Sequence, residues 1–143
     1  MNFVDAITAK VKSLMNKYDT NCPFKLAKAL GIEIVYENLG KTLGYYSSHF
    51  RIKIIHINQN ADEGQKKFTC AHELGHAIFH PAANTPFLKN HTLFSTDRIE
   101  IEAHLFAIQL LFSNINDTVS FEDAVKNYRI PKQLLTNLGM EFF

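Results

Sequence analysis

Tryptophan is absent from this chain, and cysteine occurs only twice in 143 residues. Cys22 and Cys70 are too few for a disulfide framework, which excludes the small secreted scaffolds that depend on one and points to a reducing cytoplasm. An excess of either charge is lacking too. Fifteen basic residues against 14 acidic ones leave a net charge of +1, so there is no electrostatic footprint for direct binding of nucleic acid or of an anionic membrane. Long apolar runs are missing as well. The opening "MNFVDAITAKVKSLMNKYDT" intersperses lysines among its apolar residues, unlike a signal peptide, and no later segment nears the roughly 18 to 20 apolar residues of a membrane span. No repeat or low-complexity tract occurs.

What is present is the composition of an ordinary soluble globular protein, 46% hydrophobic and 20% charged. The length suits one domain over residues 1–143, able to bury a core without staples. Phe3, Ile7, Val11, Leu14, Met15 and Tyr18 share one helical face, predicting a helix from about Asn2 to Tyr18. "PFKLAKALG" has Pro23 at a helix start and Gly31 just past its end. "IEIVYENL", "TLGYYSSHF" and "RIKIIHIN" read as three strands, expected to form a small antiparallel meander.

"NADEGQKKFTCAHELGHAIFHP" predicts a helix capped by Asn60 or Asp62 and ended by Pro81. Residues 81–96 carry two prolines and no period, predicting a long, mobile loop. "DRIEIEAHLFAIQLLF" is apolar on nearly every face, as in a helix buried mid-protein. The tail, about 119–143, reads as two short helices around Pro131.

Within the central helix, His72 and His76 lie four residues apart, on one face, with Cβ atoms roughly 5 to 6 Å apart. Two imidazoles so placed can each offer a nitrogen to one ion at about 2.0 to 2.1 Å. Glu73, about 100° around the helix, sits beside the ion position and can take a proton from water and pass it to a leaving amine. This is the logic of the H-E-x-x-H zinc peptidase motif. With 7 histidines in the chain, about 0.02 chance matches are expected, and core helices seldom bury His and Glu without a reason.

A catalytic zinc needs a third protein ligand. Phe79 and Ala82 stand where a downstream histidine of H-E-x-x-H-x-x-G-x-x-H would fall, which excludes that class. His80 lies about 12 Å along the axis from His72 and reads as a residue of the helix end. Cys70 points about 200° away from His72 and reads as a buried thiol. The next helix offers Glu100 and Glu102, with His104 as a rival. Asp97 followed by Glu100 resembles a capping box, which gives Glu100 a task at the helix start, whereas Glu102, on an apolar helix, needs a partner such as a cation. Helical projection alone does not separate the two glutamates.

"KKFTCAHELGHAIFH", followed by the glutamate of "EAHLFAIQLL" and preceded by "PFKLAKALGIEIVY" and "GYY", resembles the ImmA/IrrE family of small zinc metallopeptidases over roughly residues 20–113. The resemblance implies an α+β, zincin-like fold in which the sheet packs against the HExxH helix and a second buried helix carries the third ligand. It implies His72, His76 and Glu102 as ligands of one Zn2+ per chain and Glu73 as general base and acid. It also implies a gluzincin-like cytoplasmic endopeptidase of phages and mobile elements, an antirepressor that cleaves a helix-turn-helix transcriptional repressor. Ser113 departs from the family's usual proline after "LL", and the tail after residue 113 matches nothing specific.

The tetrahedral oxyanion of peptide hydrolysis requires a donor besides the metal, for which Tyr45, Tyr46 and His49 are candidates. An exposed sheet edge is a place for substrate to add as a strand. The alternative function is a zinc-binding regulatory module that binds a repressor without hydrolysing it.

Overall fold

A computed structural model describes residues 3–88 and 98–112. The order is α1 (Phe3–Tyr18), α2 (Pro23–Ala29), β1 (Glu33–Glu37), β2 (Thr42–His49), β3 (Ile52–Asn58), α3 (Glu63–Phe79), β4 (Thr85–Leu88) and α4 (Arg98–Phe112). The fold is α+β, as expected. The Asp97 cap and the tail helices lie outside the described residues. None of the described helices is long and apolar enough to cross a membrane.

The sheet differs from the expected three-stranded meander in two ways. It has four strands in the order β1-β3-β2-β4, with β1 parallel to β3 and the other pairs antiparallel. Phe50 and Arg51, both at positive φ, make a tight turn that pairs β2 with β3 at once. The short connection after β1 then steps past the end of β3. The Asn58 side chain fastens that step by donating to the Gly40 and Thr42 carbonyls, each at 3.0 Å. The fourth strand comes from the segment expected to be loop: the backbone of Thr85–Leu88 pairs along β2.

α3 starts where the sequence places a cap. The Gln65 N–H donates to Asp62 Oδ1 at 2.7 Å, and the Asp62 N–H donates to Gln65 Oε1 at 3.2 Å, a reciprocal capping box. One face of the sheet covers α3: Tyr46, Ile55 and Ile57 are fully buried with Leu26, Cys70, Ala71 and Leu74. α4 lies on the other side of α3 and is covered in turn by α1, whose Ile7, Val11 and Leu14 form its buried stripe. α3 is thus the middle layer, which explains why its polar residues have little access to water.

Candidate metal centre

Close approach of α3 and α4 builds the site. A Cβ on Gly75 would lie 3.2 Å from Ala103 Cα and 3.3 Å from its carbonyl oxygen, so the glycine lets the backbones meet. Across this approach His72 meets His104 and His80 meets Glu102. On α4, Glu100, Ala103, His104 and Ala107 follow the i, i+3, i+4, i+7 spacing of one stripe, all buried. That stripe faces the His72/His76 row.

Glu100 bridges the two histidines: its Oε1 lies 2.8 Å from His76 Nε2 and its Oε2 lies 3.3 Å from His72 Nε2. Yet His76 Nε2 and Glu100 Oε2 have no hydrogen-bond partner among the described residues, so these contacts are close without being aligned as hydrogen bonds. Atoms aimed at a common point behave this way. For bonds of about 2.0 to 2.1 Å at tetrahedral angles, ligand atoms lie roughly 3.3 Å apart. His72, Glu73 and His76 offer atoms within 4.8 Å of one another, as do His72, Glu100 and His104. His76, Glu73 and His104 are 0% exposed, His72 1% and Glu100 6%.

Electrostatics favour the ligand forms. Burial pushes the His72 pKa well below its ordinary value, with His104 adding to the effect and the Glu100 carboxylate opposing it. Burial alone would raise Glu100, but His72 and His76 outweigh it and hold its carboxyl well below the usual range. A neutral imidazole beside an ionised carboxylate is the combination a cation requires. Glu73 behaves oppositely: burial and the Glu100 charge push its carboxyl well up, and the Tyr46 backbone N–H opposes them without forming an aligned bond to either carboxylate oxygen. Glu73 Oε2 is 3.8 Å from His72 Nε2. A divalent cation fits this set of donors.

The residues expected at the site divide into three groups. His72, Glu73 and His76 come together. Glu102, expected as the third ligand, does not join them: the structure brings Glu100 there, while Glu102 Oε1 takes His80 Nε2 at 2.8 Å and its Oε2 lies 3.5 Å from Arg98 Nε. The reason is angular, since Glu102 is about 200° around α4 from the Glu100 stripe. The small residue Ala103, opposite Gly75, is the sequence signal that could have selected Glu100. Cys70 is a buried thiol, raised well above its ordinary pKa by burial, and belongs to neither cluster of ligand atoms.

Of the possible oxyanion donors, only Tyr46 faces α3, and its hydroxyl donates to the Pro81 carbonyl at 2.7 Å. Tyr45 and His49 alternate with it and so point to the far face of the sheet, Tyr45 stacking on His56 at 4.1 Å.

Residues 27–130 match the model of a peptidase family described as the IrrE N-terminal-like domain. A Bacillus phage phi105 protein named "Uncharacterized immunity region protein 2" is 46% identical over 106 residues, covering 73% of this chain and 67% of its own. "Metallopeptidase ImmA" of Bacillus subtilis (strain 168) is 32% identical over 110 residues, covering 76% of this chain and 64% of its own. The chain therefore spans about two thirds of the length of these relatives. With the family model matching most of its length and the HExxH helix at the buried centre, the chain belongs to the ImmA/IrrE family of peptidases.

Proposed function

We propose that the protein is a zinc-dependent endopeptidase whose substrate is a helix-turn-helix repressor of a phage or mobile element. The observation that carries the hydrolytic part is the convergence of His72, His76 and Glu100 beside the buried carboxyl of Glu73. Two imidazoles and one carboxylate are the ligand set of many catalytic zinc sites, which keep a fourth position open. The repressor as substrate draws on the name of the phage relative, an immunity region protein, and on the relative named as a metallopeptidase.

A zinc ion held by His72, His76 and Glu100 would supply a Lewis acid that polarises the scissile carbonyl, acidifies water and, through its charge, returns Glu73 to its ionised form. Glu73 then takes the proton of the attacking water and delivers it to the leaving amine. Its burial excludes competing solvent and keeps that proton on one path. The edge strand β4, paired on one side with β2, suits a substrate segment added as a further strand. Of the three oxyanion candidates Tyr46 alone lies on the α3 side, and its hydroxyl would have to leave the Pro81 carbonyl to serve an oxyanion.

Replacing Glu73 by Gln should leave zinc content unchanged and lower repressor cleavage about 10²- to 10⁴-fold. Mass spectrometry of fragments, with a phage-type helix-turn-helix repressor as substrate, measures the second, and metal analysis the first. Undiminished repressor inactivation by the Gln variant would instead establish binding without hydrolysis.

A further inference from the structure

We infer that Glu102 and His80 form a positioning relay that sets the tautomer of His76 for metal binding. The inference rests on the reading of His76 as a ligand. His76 Nδ1 lies 3.0 Å from His80 Nδ1, and His80 Nε2 lies 2.8 Å from Glu102 Oε1. A carboxylate only accepts, and a neutral imidazole has one donor and one acceptor. His80 must therefore donate from Nε2 to Glu102, which leaves its Nδ1 as an acceptor. His76 must then donate from Nδ1, which leaves the lone pair on Nε2, the nitrogen aimed at Glu100.

The backbone fits this order. His80 caps α3, and its N–H donates to the His76 carbonyl at 2.7 Å, so the two rings stay one helical turn apart. Arg98 Nε lies 3.5 Å from the other Glu102 oxygen and steadies the carboxylate. If His80 instead carried both protons, His76 would accept at Nδ1 and hold its proton on Nε2, facing Glu100. That arrangement would set an Nε2–H against the Glu100 carboxylate, 2.8 Å away, and leave no lone pair for an ion, so the reading of His76 as a ligand selects the first order. Outer partners of this kind fix ring orientation and strengthen a histidine as a ligand. Glu102, expected at the metal from its burial on an apolar helix, acts through His80 and His76 instead.

Long-range 15N NMR of the metal-free chain, labelled at histidine, tests the relay directly. His76 is expected to carry its proton on Nδ1 and His80 on Nε2. Glu102→Ala should mix the tautomers of both rings and weaken zinc binding about 10- to 100-fold in competition with a chromophoric chelator. Glu102→Gln keeps a carbonyl acceptor and should restore most of the affinity. An Nε2–H tautomer of His76 in the wild type would overturn the relay, as would unchanged spectra and affinity in Glu102→Ala. A wild type that binds no zinc would sink the metal-centre reading alone, because the metal-free spectra still decide the relay.

Discussion

Two clusters in this molecule join glutamate to histidine, and they differ in how their polar atoms are satisfied. On the outer face of the sheet, Ser47 Oγ lies 2.9 Å from His56 Nε2, and His56 Nδ1 lies 2.8 Å from Glu37 Oε1. The groups resemble a nucleophile, a base and its orienting carboxylate. However, Ser47 and His56 sit within a paired ladder whose backbone N–H groups point along the sheet, away from side chains standing perpendicular to it. Each group has its partner, and the Glu37 side chain is 38% exposed. Between α3 and α4 the case differs: His76 Nε2, both Glu73 carboxylate oxygens and Glu100 Oε2 are buried and close together, yet none is aligned in a hydrogen bond among the described residues. Residue types alone do not separate a structural network from a ligand site. Unmet hydrogen-bonding capacity under burial does, because leaving it unmet is costly unless an ion completes it.

Removing Glu100, the proposed third ligand, should give the largest difference between the clusters. Glu100→Ala is expected to weaken zinc binding by more than the roughly 10- to 100-fold that follows loss of a supporting residue. Ser47→Ala should leave it unchanged. Chelator competition on both variants measures this, and equal affinities would erase the distinction.

A smaller effect concerns the stability of the metal-free chain. Glu73's carboxyl is raised above its ordinary value of 4.5 in the fold, so the folded chain keeps a proton that the unfolded chain has released. Stability contributed by this group is present below pH 4.5 and is lost as pH rises through the folded value. Glu73→Gln does not titrate, so its advantage over wild type should grow upward from pH 4.5. The growth should be on the order of 1 kcal/mol for each step of one in pH, until the folded carboxyl ionises in its turn. His72, whose pKa lies below 6.5, works oppositely: its contribution is lost as pH falls from 6.5. It is present in both chains and cancels to a first approximation. Denaturant midpoints between pH 4 and 8 test the trend, and an advantage that shrinks with pH would contradict it.

The smallest effect belongs to the sheet. Ser47→Ala removes one partly exposed hydrogen bond and should cost about 0.5 to 1.5 kcal/mol, with peptidase activity intact. Loss of activity in this variant would move Ser47 into the functional machinery and reverse the contrast between the clusters.

Most helices were legible because period, cap and terminator agree over many residues, as in α3 from Asp62 to Phe79. The HExxH motif was legible because its geometry lies within one helix. Sheet pairing was less so: β1 and β2 are neighbours in sequence, but β3 lies between them in the sheet, and no local pattern in residues 38–41 announces that step. The strand at Thr85–Leu88 was hidden because it is four residues long and contains Pro86.

By itself the sequence determined what one helix can decide, that His72, Glu73 and His76 share a turn and can meet one ion. Only the tertiary structure places Glu100 beside them and Glu102 beside His80. Both are glutamates on α4, and the choice depends on which of its faces meets Gly75, a matter of how closely two backbones pack. That contact turns the Glu100, Ala103 and His104 stripe toward the histidines and leaves Glu102 to His80.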